Sequence, residues 1–191
     1  MLKWLTQRTD HRGVASVIYG SIVASARQQH FYATWQVPDT REGRFEMVAM
    51  HVALVMRRLE RAGAAGTELA RALAETFMTD MDDNMREIGI GDLAVPKKVK
   101  RAAAALYDRH RDYAAALVLD DAAASDNAAA SSALATAVAS ALSGEARQSA
   151  TIPGLDCGAL AHYMQRLHRA LGATSDADCL AGKLPLPWPP I

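Results

Sequence analysis

Apolar residues recur every three or four positions along most of this chain, which is the spacing of amphipathic α-helices. The first such stretch predicts a helix over about 14–28. The second predicts a helix over about 41–61, because Pro38 disfavours helix before it while Asp39 and Thr40 are good N-caps. The apolar stripe of this second helix comprises Phe45, Val48, Val52, Val55, Met56 and Leu59.

Further periodic stretches predict the remaining helices. One is expected over 67–89, starting at a threonine that can cap it and stopping at a glycine, and another over about 96–119. The alanine-rich segment 120–150 predicts a helix near 131–142 with loose flanks. A last helix follows Pro153. Its inward side chains are expected to be Leu160, Tyr163, Leu167 and Leu171.

These elements predict an all-α fold, a single-domain helical bundle of about six helices with an extended Pro-rich C-terminal tail, since no stretch alternates with the period of a strand. We expect an N-terminal segment at 1–12, a helical domain at 13–175 that includes the alanine-rich segment 120–150, and an extended tail at 176–191. The tail cannot be helical near its end because four of its last seven residues are proline.

The amino-acid composition excludes some classes of function. Half of the 191 residues are hydrophobic, which excludes a disordered chain, and 21 basic residues balance 21 acidic ones, so no specific nucleic-acid partner is expected. The sequence shows neither a secretory signal nor an apolar run near the ~20 residues of a membrane span. We expect a soluble, cytoplasmic protein whose short amphipathic stretch around Trp4 gives at most weak contact with a membrane surface.

The segment 77–101 is sharply polarised in charge. Its first part carries Asp80, Asp82, Asp83, Glu87 and Asp92 against the single cation Arg86, and its second part carries Lys97, Lys98, Lys100 and Arg101. Cations at a helix N-terminus oppose the macrodipole, at about 0.3–1 kcal/mol each. Compensation is therefore expected, either from the neighbouring acidic helix or from a binding partner.

The acidic part of this segment allows three interpretations. Asp80, Asp83, Asn84 and Glu87 share one helix face, which could bind a divalent cation, stay solvated or dock on a partner or on the chain itself. Asp82 and Arg86 are spaced for an ordinary surface ion pair. The chain has no nucleophile elbow, P-loop, dinucleotide fingerprint or HExxH motif, which lowers the case for an enzyme.

Aromatic residues are concentrated in the break between the first two predicted helices, with Phe31, Tyr32, Trp35 and Phe45 close together. Aromatic residues in such a break usually fill the gap between two helices. The alternative is an exposed apolar groove that binds a segment of another protein, where Tyr and Trp are favoured.

Three stretches carry a family resemblance. IYGSIVASARQQHFY at 18–32, VPDTREGRFEM at 37–47 and FMTDMDDNMREIGIGDLAVPKKVK at 77–100 resemble the ubiquinol-cytochrome c chaperone family. This family comprises assembly factors of the cytochrome bc1 complex in mitochondria and their alphaproteobacterial relatives. The resemblance covers about 14–120 and is weak through the alanine-rich segment.

The resemblance implies a non-enzymatic chaperone without a cofactor, which holds newly made cytochrome b before haem loading and complex assembly. Mitochondrial members work with a small partner subunit and near the ribosome's exit tunnel, so the ribosome and such a subunit are further implied partners. The chain resembles a bacterial form, being short and lacking a transit peptide. Its implied place is the cytoplasm or, peripherally, the cytoplasmic face of the inner membrane.

Two partner-binding surfaces are predicted on this basis. The first is an apolar groove floored by Tyr32, Trp35, Val37 and Phe45, beside Pro38 and with Asp39 and Arg44 positioning the loop. The second is the polarised pair of helices with Asp80, Asp82, Asp83, Asn84, Arg86, Glu87, Lys97, Lys98 and Lys100. The alternative function is a metal-binding helical protein or enzyme that uses the carboxylate face of the third helix.

Overall fold

A computed structural model describes residues 3–121, 128–143 and 152–189, with side chains from residue 11 onward. Eight helices form in this part of the chain, and two of them have only five residues. They are α1 (Lys3–Ala26), α2 (Gln29–Ala33), α3 (Arg41–Glu60), α4 (Gly63–Glu87), α5 (Val95–Asp121), α6 (Ala128–Ser143), α7 (Cys157–Ala173) and α8 (Asp176–Leu180). The six longer helices match the six predicted, so the predicted all-α bundle is confirmed.

Helix α3 occupies the centre of the bundle and contacts α1, α4, α5, α6, α7 and α8. Every residue from 47 to 56 is buried, whereas the sequence pattern predicted a single apolar stripe. Neighbours on all sides explain the difference, because a helix surrounded by other helices has no solvent face. Arg109 of α5 reaches this helix and forms two hydrogen bonds with the mostly buried Glu46 carboxylate, at 3.0 and 3.1 Å.

Helix ends agree with the predictions at some positions and differ at others. Thr40 caps α3 as predicted, its Oγ1 accepting from the Gly43 backbone N–H at 3.1 Å. The predicted cap at Thr67 is wrong, since α4 begins at Gly63 and the Thr67 hydroxyl bonds back to the Gly63 carbonyl inside the helix. Gly63 has a φ of +79°, which glycine adopts without strain, and it turns the chain directly from α3 into α4.

Helix α1 runs without interruption from residue 3 across the predicted boundary at residue 12, and the Trp4 side chain lies outside the described residues. The predicted boundary after residue 175 lies in the short break between α7 and α8, and the division into domains stays a prediction. The predicted tail begins with helix α8, capped by Ser175, whose hydroxyl accepts from the Asp178 N–H at 3.1 Å. Residues 181–189 contain no helix.

Among the described helices, none combines the length and the apolar character needed to cross a membrane.

The close approach of α4 to the end of α3 generates a stability prediction. A Cβ added at Gly66 would lie 2.0 Å from the backbone oxygen of Leu59, which cannot move aside cheaply. We expect Gly66→Ala to lower the free energy of unfolding by about 1–3 kcal/mol, as overpacking does. Urea unfolding followed by circular dichroism measures the change.

Gly20→Ala is the matched control, because Gly20 lies inside α1 and a Cβ there would meet nothing within 4 Å. Alanine should raise stability at this position by about 0.5–1 kcal/mol through helix propensity. Equal effects of the two substitutions would contradict the packing of α4 on α3.

Candidate partner-binding surfaces

The Trp35 and Val37 side chains, between α2 and α3, are directed into the protein interior. Trp35 is 7% exposed and Val37 is 2% exposed. The Trp35 ring meets Phe31 at a centroid distance of 5.3 Å and Tyr163 of α7 at 6.0 Å, both edge-on. An exposed groove floored by Trp35 and Val37 is therefore absent from this structure, and the alternative interpretation, filling of the gap between helices, describes these two side chains.

Other residues predicted for this groove are partly buried. The Tyr32 hydroxyl donates to the Ala26 carbonyl at 2.8 Å, which ties the break to the end of α1. Phe45 packs against Phe77 of α4 with ring centroids 5.6 Å apart, and Pro38 is half-buried. These contacts hold the loop in place, and they leave only part of each ring open to a partner.

Asp39 and Arg44 form an exposed ion pair across the N-terminus of α3. The Arg44 Nε donates to Asp39 Oδ1 at 2.6 Å, and this hydrogen bond lowers the pKa of the Asp39 carboxyl. Both side chains remain more than half exposed, so the pair is open to solvent. Binding of a partner by these two residues stays a prediction.

A buried histidine that the sequence analysis did not select organises this region. His51 of α3 is fully buried, and its Nδ1–H donates to the Met47 carbonyl at 2.7 Å. Its Nε2 then accepts from the Tyr163 hydroxyl at 2.6 Å. Burial lowers the pKa of His51 to about 4, which keeps the ring neutral. The signal was present in the sequence, since apolar residues flank His51 on every helical neighbour position.

The acidic part of the polarised segment is largely engaged within the chain. The Tyr19 hydroxyl of α1 donates to the Asp80 carboxylate at 2.7 Å, so this residue docks α4 on α1. Arg86 bridges Asp82 at 2.6 Å, as the spacing predicted, and Asp92 at 2.7 Å. In the described part of the chain, no three His, Cys, Asp or Glu side chains are arranged to hold a metal ion.

Asp83, Asn84 and Glu87 complete the predicted face and are exposed. The Asn84 side chain donates to the backbone oxygen of Asp80 at 2.6 Å, one turn earlier in the same helix. On the predicted carboxylate face, Asp80 therefore contacts another helix, whereas Asp83, Asn84 and Glu87 are exposed to solvent.

The lysines at the start of α5 are exposed and lack partners among the described residues. Lys97, Lys98 and Lys100 form no ion pair there, and Arg86 holds the carboxylates of Asp82 and Asp92. Compensation of these lysines by the acidic helix was one of the two sequence-based alternatives, and the structure does not show it. Their charge faces solvent.

Apolar side chains lie beside these lysines on the turn between α4 and α5. Leu93 is 99% exposed and Ile88 is 49% exposed, unlike most large apolar residues of the chain. We use the term α4–α5 tip for Ile88, Leu93, Lys97, Lys98 and Lys100. The tip combines exposed apolar and exposed cationic groups that the fold itself does not use.

A polar cavity of about 500 Å³ lies between α3, α5, α7 and α8 and was not predicted. Asp121 accepts hydrogen bonds from Arg57, Arg61 and His168. Burial raises the pKa of the Asp121 carboxyl, but the bonds from His168 and Arg61 outweigh it and lower the pKa overall. The charged groups around this cavity pair with one another, so they hold helices together rather than presenting a free charge.

Comparisons with known proteins show what this chain is similar to. The sequence model of a family described as ubiquinol-cytochrome C chaperone matches residues 33–188. This chain belongs to that family. It is also similar to the crystal structure of the Cbp3 homolog from Brucella abortus, with 33% sequence identity, a TM-score of 0.75, and coverage of 97% of this chain and 96% of the other. A search of curated proteins found no match.

Membership of the chaperone family confirms the resemblance seen in the sequence and supports a role in assembly of the bc1 complex. The matched range contains the His51–Tyr163 pair and the whole α4–α5 tip. It begins at residue 33, after the first of the three stretches that carried the resemblance.

The neutral His51 generates a pH prediction for this chaperone. Its pKa is about 4 in the folded state against 6.5 as the ordinary value, so the unfolded state binds the proton more tightly. Stability from this group is complete above pH 6.5 and is lost as the pH falls towards 4. Between pH 7.5 and 5 the loss amounts to about 2 kcal/mol.

Urea unfolding of the wild type and of His51→Gln at both pH values measures this loss. Glutamine does not titrate, so the variant should lack the part of the pH dependence that His51 contributes. The same slope in both proteins would show that His51 is not buried in its neutral form.

Proposed function

We propose that this protein is an assembly chaperone that binds newly made cytochrome b and assists assembly of the ubiquinol-cytochrome c reductase complex. Its work is protein–protein recognition rather than catalysis. Membership of the chaperone family supports the assembly role. The observation that carries the recognition role is the α4–α5 tip, where three lysines without ion pairs among the described residues adjoin a fully exposed leucine.

The energetics of the tip favour a partner. Cations in the first turns of α5 oppose its macrodipole and destabilise the isolated helix slightly, by about 0.3–1 kcal/mol each. An exposed Leu93 likewise gains nothing from the fold, since its side chain contacts mainly water. A partner with an acidic loop beside an apolar segment would relieve both costs at once.

Cytochrome b has the composition that this surface requires, because a membrane protein joins apolar segments through polar loops. Asp83, Asn84 and Glu87 lie on the neighbouring helix and would contact cationic groups of the same client. The chaperone would act in the cytoplasm or at the cytoplasmic face of the inner membrane, where newly made cytochrome b meets the bilayer. A small partner subunit or the ribosome would bind through the same charged helices.

The lysines of the tip generate a prediction that separates function from folding. We expect the triple variant Lys97→Glu, Lys98→Glu, Lys100→Glu to capture much less newly made cytochrome b from a coupled translation reaction. The same variant should unfold at equal or higher urea concentration, because acidic residues suit the N-terminus of α5. Reduced capture with unreduced stability would support a docking role for these side chains.

Arg111→Glu is the matched control, since Arg111 is an exposed cation of the same helix that lies beyond the tip. It should leave capture unchanged. A loss of capture in Arg111→Glu as large as in the triple variant would contradict docking at the tip.

Leu93 generates a second prediction for the same surface. Leu93→Ser should leave the free energy of unfolding within about 0.5 kcal/mol of wild type, as surface substitutions usually do, because the side chain is 99% exposed. Capture of cytochrome b should nevertheless fall. Val17→Ser, at a 64% exposed position on α1, is the control and should not affect capture. Unchanged capture by Leu93→Ser would exclude an apolar contact at the tip.

A further inference from the structure

The C-terminal tail, residues 184–189, lies on the surface of the helical domain. Leu184, Leu186 and Trp188 are partly buried and pack against the hydrophobic core. No residue of this stretch carries a charge, and three of its six residues are proline. The tail is therefore a short, uncharged apolar peptide bound to its own domain.

The course of the tail follows helix α1. The residues just before the tail lie beside the middle of this helix, where a Cβ built at Gly182 would lie 3.1 Å from Val14 and 3.7 Å from Ile18. The tail reaches the end of the helix at Trp188, whose carbonyl oxygen accepts from the Gln28 side chain at 2.8 Å.

Few polar contacts hold the tail in place. Between residues 184–189 and the rest of the described chain, one hydrogen bond forms, from the Gln28 side chain to the carbonyl oxygen of Trp188 at 2.8 Å. The Tyr163 hydroxyl oxygen lies 3.4 Å from the same carbonyl oxygen, but its single hydrogen is donated to His51. The Trp188 indole N–H is buried without an acceptor in the described chain, which costs free energy only while the tail is bound. Apolar contact thus supplies most of the binding.

The position of the tail links it to the aromatic cluster. The Tyr163 hydroxyl oxygen lies 3.4 Å from the Trp188 carbonyl oxygen of the tail. The Tyr163 ring meets Phe31 and Trp35 at centroid distances of 5.0 and 6.0 Å. A peptide that replaced the tail would therefore lie against the cluster that the sequence suggested as a contact surface. We call Val14, Ile18, Gln28 and Tyr163 the tail site.

We propose that the tail is an internal competitor that covers a client-binding site: an uncharged apolar segment of the client binds at the tail site and displaces residues 184–189. The composition of the tail itself indicates what the site accepts, namely leucine, proline and tryptophan without charge. This inference rests on the proposed function, under which the client segment is an apolar stretch of cytochrome b. The tail then keeps the site covered until a client is present.

Peptide binding to the full-length chain tests this inference. The probes are a fluorescein-labelled peptide of the tail sequence LPLPWPPI and a labelled uncharged peptide of leucine and alanine, each followed by fluorescence anisotropy. In the wild type the attached tail competes at a high effective concentration, so both probes should bind weakly. Trp188→Ala weakens the attached tail and should tighten binding of both probes at least about tenfold.

Two further variants make the test specific. Leu186→Ala removes a partly buried side chain of the tail and leaves the tail site intact, so it should shift binding in the same direction by a smaller factor. Lys183→Ala changes an exposed residue just before the tail and should bind both probes like the wild type. Circular dichroism establishes that each variant is folded.

The outcomes separate the inference from the proposed function. Folded Trp188→Ala and Leu186→Ala that bind neither probe more tightly than the wild type would overturn the inference. Tight binding of the tail peptide alone, without the leucine–alanine peptide, would overturn the client part of it. If both peptides bind as expected but neither the wild type nor Trp188→Ala captures newly made cytochrome b, the tail site stands and the proposed client is wrong.

Discussion

The burial of α3 on every side is the constraint on which the rest of the structure depends. A helix inside a bundle satisfies its own backbone, but each polar side chain on it needs a partner from a neighbouring helix. His51 finds one partner one turn back in its own helix, and the other is the Tyr163 hydroxyl, 112 residues further along the chain. This requirement fixes where α7 crosses the bundle.

Arg58 imposes the same requirement at the other end of α3. Its guanidinium is almost fully buried and donates to the carbonyl oxygens of Leu171 and Thr174 and to the Asp176 carboxylate. The start of α8 is thus bound to α3 as well, and the tail that follows α8 is directed onto α1. The hydrogen bonds of the buried Arg58 and His51 thus fix the positions of α7 and α8. These positions bring the residues that follow α8 to the aromatic cluster.

Local patterns predicted the elements well and the contacts between distant residues poorly. The apolar positions Leu160, Tyr163, Leu167 and Leu171 are buried as predicted, because helical periodicity is a property of neighbouring residues. The burial of Trp35 was not predictable in this way, since it depends on contact with Tyr163, which is distant in sequence. Thr67 was a plausible cap by type, yet the tight turn at Gly63 starts the helix earlier.

The charged segment shows the same limit. The ion pair between Asp82 and Arg86 follows from their spacing on one helix and is present. The engagement of Asp80 by Tyr19 joins two helices and could not be read from a local pattern. These internal contacts do not involve the lysines and Leu93 of the tip. We infer that this surface is used for recognition. The interpretation of the chain as a chaperone depends on that surface.

A pulse-chase capture experiment tests the central claim most directly. Cytochrome b is labelled during a short synthesis pulse in the host, and the tagged chaperone is recovered at successive times of the chase. The account predicts that labelled cytochrome b is bound early and is lost from the chaperone as it enters the assembled complex. Recovery of no cytochrome b at any time, or of the mature complex alone, would contradict it.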